Sequence, residues 1–126
     1  LCVQVPNDFS RLQAAVQAVL ATPSWWVAPP FHVNYFDFAS LRRLCDRTGF
    51  TVVQEETTFP MEVFLLMGEH YVGDDTVGRA CHRRRMALEE RLAAAGLNAL
   101  RRQASRALAA VGLGREAIVY ARVDVP

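Results

Sequence analysis

The stretch Ser40-Leu41-Arg42-Arg43-Leu44-Cys45-Asp46-Arg47-Thr48-Gly49-Phe50-Thr51-Val52-Val53 changes its period halfway along, and that change decides the fold class. Leu41, Leu44 and Cys45 recur at helical spacing and are expected to face inward, with Asp37 and Ser40 as alternative N-caps. Gly49 supplies a left-handed stop. The run from Phe50 to Thr58 is rich in β-branched residues and predicts a strand. A helix feeding a strand through a glycine is the unit of an α/β layer architecture.

Upstream, residues 24 to 36 have no clean period and hold two prolines and five aromatics, which predicts an ordered loop, since flexible linkers are not built from tryptophan. Before it, Phe9, Leu12, Val16, Val19 and Leu20 share one face of an amphipathic helix that Thr22-Pro23 ends. Asn7, Asp8 and Ser10 can cap it. Leu1, Val3 and Val5 alternate with Cys2 and Gln4 as a strand that Pro6-Asn7-Asp8 closes.

Downstream, Pro60 with Met61, Val63, Phe64, Leu65 and Leu66 predicts a short buried helix, and Gly68 to Asp75 a turn-rich connection. A longer helix follows from Val77 to Ala95, with Cys81, Leu88, Leu92 and Ala95 on one side. Leu97, Leu100, Ala104, Leu108 and Val111 mark another helix, ended by Gly112. The continuous apolar run Ala117 to Ala121 reads as a central strand buried on both faces. Three strands are few for so many helices, so further strands are expected in a part of the domain upstream of Leu1.

Composition narrows the function classes. With 126 residues, 52% of them hydrophobic and 21% charged, the chain can bury a core. A net charge of +1 predicts no general attraction to nucleic acid or anionic membrane, although every basic residue other than histidine is arginine. Cys2, Cys45 and Cys81 form no C-x-x-C pair and read as buried free thiols in a reducing cytoplasm. No apolar run has the length of a membrane span.

Three segments together, Val5-Pro6-Asn7-Asp8, then Ala28-Pro29-Pro30-Phe31-His32-Val33-Asn34-Tyr35-Phe36, then Ser40 to Leu44 with Thr48 to Val53, resemble class I (Rossmann-like) S-adenosylmethionine-dependent methyltransferases. In that family a fifth strand ends in Val-Pro-Asn, a Pro-x-His-x-x-Tyr-Phe loop leads into a helix, and Gly-Phe opens the sixth strand. Gly112 to Glu116 before the last apolar run is similar to the entry into the seventh strand, which lies antiparallel between the fifth and sixth. The resemblance spans essentially residues 1–126. It implies the C-terminal part of a single α/β methyltransferase domain: a partial Rossmann-like sheet with flanking helices and a helical insert over about 60–112. It also implies S-adenosylmethionine as cofactor and a small-molecule methyl acceptor as substrate. The Gly-rich loop after the first strand and the acidic residue after the second have no counterpart here, so the main cofactor-binding determinants are expected in a missing N-terminal half or an oligomer partner.

Methyl transfer depends chiefly on positioning, with a base needed only where the acceptor loses a proton. His32, in its aromatic loop, is either a base or substrate contact, or a brace that hydrogen-bonds backbone carbonyls. Asn7, Trp26, His32, Asn34 and Tyr35 are the expected substrate-binding residues. Trp25, Trp26, Tyr35 and Phe36 either wall an acceptor pocket or belong to the core. Glu62, Glu69, His70, Tyr71, Asp74 and Asp75 fall in the insert, where the resemblance implies substrate-recognising segments and where they otherwise read as solvated turn and helix residues; Asp74, Asp75, His70 and His82 match no metal-ligand spacing. The alternative class is a non-catalytic interaction module. It would bind a protein partner or nucleic acid through His82-Arg83-Arg84-Arg85 and Arg101, Arg102 and Arg106, although Glu89 and Glu90 can pair with neighbouring arginines.

Overall fold

A computed structural model describes residues 1–123. The chain is α/β, in the order β1 (Cys2–Pro6), α1 (Arg11–Leu20), α2 (Phe38–Arg47), β2 (Phe50–Glu56), α3 (Glu62–Leu66), α4 (Asp75–Ala94), α5 (Asn98–Ala110) and β3 (Glu116–Val123). The three strands form one open sheet in the order β1-β3-β2. β3 runs antiparallel to both neighbours, so β1 and β2 are parallel to each other and end on the same side of the sheet. The last strand is therefore central, as its apolar composition predicts.

That strand is not buried on both faces. Ala117, Val119 and Ala121 are buried, whereas Ile118 is half-buried and Tyr120 is exposed. Successive strand side chains point to opposite faces, and only one face of β3 is fully covered. On the covered face Phe38, Leu41 and Cys45 of α2 meet Ala117, Val119 and Ala121, with Val3, Val5, Phe50 and Val52 packed around them. Glu55 pairs with Arg42 of α2 and the next residue, Glu56, with Arg106 of α5, which sets these helices on opposite faces of β2. The ladder skips Val53, a bulge between Val52 and Gln54 that leaves Val53 exposed.

A second core joins Met61 and Phe64 to Cys81, with Phe59, Tyr71 and Val77 against it, and α1 rests on α3. Several residues on the expected apolar helix faces, Leu44 among them as one expected to face inward, are not buried. Leu44, Val19, Phe9, Leu88, Leu97, Leu100 and Val111 are exposed. In α1 the buried positions are Val16 and Gln13, because Gln13 closes a capping box with Ser10 and is drawn under the turn. Cys45 and Cys81 are buried, but Cys2 is exposed, because it lies on the uncovered face. No helix among the described residues is long and apolar enough to cross a membrane.

Candidate functional site

The main cleft lies where β1 and β2 end and β3 begins. Its floor starts at Asn7, whose N–H donates to the Arg115 carbonyl at 2.9 Å. The Asn7 side-chain amide donates to the Gly112 and Gly114 carbonyls at 3.1 and 3.0 Å, which ties the end of β1 to the turn entering β3. Gly114 is required there: its φ is +110°, and a Cβ would run into the Thr57 side chain. Asp8 follows, and Phe9 takes a left-handed φ of 55°, with its ring edge-on to Trp26 and Tyr35. This turn sends the chain into α1 beneath the aromatic loop.

The resulting cleft has a volume of about 550 Å³. Trp25 and Trp26 form one wall; Met61, Glu62 and Tyr71 form the α3 side; Gly78, Arg79 and His82 come from α4; Asp8, Gln13, Arg115 and Glu116 complete it. Glu62 is 5% exposed, in the first turn of α3. Burial pushes its carboxyl above the usual range, against the opposing pull of its own backbone N–H, the Arg115 charge and the Gln13 amide. Gln13 is oriented for that contact because its Oε1 already accepts from the Ser10 N–H at 3.0 Å. Glu62 Oε2 is buried with no hydrogen-bond partner.

Burial, and then the nearby Glu62 charge, push the Tyr71 hydroxyl up, so it stays protonated near neutral pH; a hydrogen bond from Trp25 opposes the shift. Asp8 is also raised by burial, partly offset by His32. Arg115 Nη1 stands 3.3 Å from His82 Nδ1. The arrangement is a shielded carboxyl at the base, an indole wall, and two guanidinium groups, Arg79 and Arg115, at the rim.

Of the residues expected at a site, Trp26 lines this cleft, with its Nε1 buried and unpartnered. Asn7 is 1% exposed and its amide is spent on backbone carbonyls. Tyr35 is a brace within its loop: its hydroxyl accepts from the Ala28 N–H at 3.0 Å and donates to the His32 carbonyl at 3.1 Å. His32 and Asn34 are exposed and border a separate depression of about 260 Å³, lined also by Val5, Phe31 and Phe36. Asp8 belongs to both hollows.

Glu62 and Tyr71, for which the sequence left a substrate-recognising and a solvated reading, are respectively buried and half-buried, and Gln13, Arg79 and Arg115 were not singled out as site residues. Glu69, His70, Asp74 and Asp75 do not line the cleft, and the described residues contain no group of three or more histidine, cysteine or carboxylate side chains able to hold a metal.

Four arginines of α4 and α5 form ion pairs within the chain. Arg84 pairs with Glu69, Arg85 with Glu89 at 2.9 Å, Arg101 with Glu89 at 3.8 Å and Arg106 with Glu56 at 3.1 Å. Between α4 and α5 lies a small apolar groove of about 110 Å³ lined by Phe59, Leu88, Leu92 and Leu108. Comparison with protein-family models, with curated proteins and with solved structures finds no match to this chain.

Proposed function

We propose that this chain is the acceptor-side part of a cytoplasmic class I S-adenosylmethionine-dependent methyltransferase acting on a small molecule. The single observation that carries the reading is the strand arrangement. Two parallel strands flank an antiparallel last strand, with the main cleft at the ends of the parallel pair. This is the order the sequence resemblance implies for a fifth, seventh and sixth strand, and ligands of α/β sheets bind beyond the carboxyl ends of the strands.

The residues present do not fit the cofactor itself. Neither strand-to-helix turn, residues 7–10 or 57–61, contains a glycine, so neither offers the open backbone cradle that a nucleotide or methionine end requires. The cofactor-gripping part is assigned in this proposal to an N-terminal half of the domain or to an oligomer partner. This chain's own work is to bind and orient the acceptor. Trp25 and Trp26 exclude water from its apolar part, and Glu62 or Asp8 accepts the hydrogen of a hydroxyl or amine. The competing reading as an arginine-rich interaction module has less support, because Arg84, Arg85, Arg101 and Arg106 already pair with three carboxylates of the chain, Glu69, Glu89 and Glu56.

The test is calorimetric titration of S-adenosylhomocysteine, first into this chain and then into the chain joined to the polypeptide encoded upstream. The expected result is no binding by the chain alone and binding by the joined protein. Binding by the chain alone would overturn the division of labour; no binding by either would overturn the methyltransferase reading.

A further inference from the structure

The cleft carries both signs of charge around an aromatic wall, and one buried carboxyl oxygen of its lining residue Glu62 is unused. Glu62 is 95% removed from solvent, yet Oε2 has no partner, although Arg115 stands near enough to act on its charge. A buried carboxyl oxygen left without a donor is destabilising, and a ligand N–H would relieve it. At the rim, neither Arg79 nor Arg115 closes an ion pair with a carboxylate among the described residues. A polyanion is disfavoured by Glu62 and Asp8 in the same cleft, and a simple cation by the two arginines. A ligand with one group of each sign satisfies both ends.

We propose that the cleft takes a small zwitterion of the amino-acid type, with its ammonium on Glu62, its carboxylate on Arg79 and Arg115, and its apolar body against Trp25 and Trp26. That this zwitterion is the methyl acceptor rests on the function proposed above; that it binds does not.

Both tryptophans of the chain line the cleft, so intrinsic fluorescence reads its occupancy directly. The probes are L-phenylalanine, phenethylamine, which lacks the carboxylate, and 3-phenylpropionate, which lacks the amine. L-Phenylalanine is expected to bind at least about tenfold more tightly than either analogue, the factor that one good charged contact supplies. Glu62→Gln is expected to weaken L-phenylalanine and phenethylamine by about tenfold or more and leave 3-phenylpropionate unchanged. Arg115→Gln should do the converse.

Equal affinity for the three probes, no binding of any of them, or tighter binding of inorganic phosphate than of L-phenylalanine would overturn the proposal. If Glu62→Gln does not fold, the three-probe comparison on the unaltered chain decides alone. L-Phenylalanine binding without S-adenosylhomocysteine binding by the joined protein would keep the ligand class and remove the methyltransferase. The reverse pattern would keep the methyltransferase and remove the zwitterion.

Discussion

Glu62 has a consequence for stability that requires no ligand. Burial raises its pKa from the ordinary 4.5, so folding disfavours its charged form relative to the unfolded chain. A group raised on folding contributes stability that is fully present below its unfolded value and lost as pH rises through the folded one. Glutamine has the same size and no charge. Glu62→Gln is therefore expected to melt above the unaltered chain at pH 8, with the gap narrowing as pH falls towards about 4.5 and closed below it. Thermal melts at pH 4, 6 and 8 measure this, and a gap independent of pH would mean that the carboxyl is solvated. The sequence held a signal for this residue: one carboxylate inside the apolar run Phe59 to Leu66. A helix of five residues is too short for periodicity to show which way that carboxylate turns. Arg79 and Arg115 carried no signal, since an arginine at a cleft rim and one on a solvated helix face look alike in sequence.

At the scale of elements, α2 shows why some segments were legible and others were not. Its ten residues are too few to hold a helix in water unaided, so its ends and its buried face must do so. Asp37 accepts from the Ser40 N–H at 2.7 Å, and the Ser40 hydroxyl accepts in return from the Asp37 N–H at 2.9 Å. Burial works against ionisation of Asp37, but the Ser40 hydrogen bonds and the Arg43 charge outweigh it and hold the carboxyl below its ordinary value of 3.8. Stability from a lowered pKa is present above the unfolded value and lost as pH falls through the folded one. Asp37→Ala is expected to lower stability by about 1 kcal/mol at neutral pH, as cap removals do, and by less in acid below pH 3.8. Urea unfolding at pH 7 and pH 3 measures both values, and an equal loss at the two would show that the cap acts without its charge. The caps, the glycine stops and the order of elements were legible because they are local. The orientation of α5 was not. Leu97, Leu100 and Val111 repeat at helical spacing but are exposed, and only Ala109 of that helix is buried. Periodicity gives a face, and tertiary packing decides whether anything meets it.

For the whole molecule the question is what the sheet leaves unpaired. Leu1 exchanges both backbone bonds with Ala121, at 2.9 Å each, and the Asn7 N–H reaches the Arg115 carbonyl. Because backbone groups alternate sides along a strand, the odd positions of β1 serve β3 and those of Cys2, Gln4 and Pro6 face the free edge. Proline has no N–H, so among the described residues that edge offers the donors of Cys2 and Gln4 only. Sequence alternation identified β1 but could not show this, since the parity of an edge depends on its partner. An open edge beside exposed Leu1 and Tyr120 is a template for another strand. In the function proposed here that strand belongs to the cofactor-gripping half. The chain by itself is then expected to self-associate as its concentration rises, and Gln4→Pro, which removes an outward donor and no bond to β3, should return it towards monomer. Sedimentation velocity across a concentration series measures this. Association that Gln4→Pro leaves unchanged would move the contact off β1, and a chain that stays monomeric throughout would remove the reason to expect a strand there.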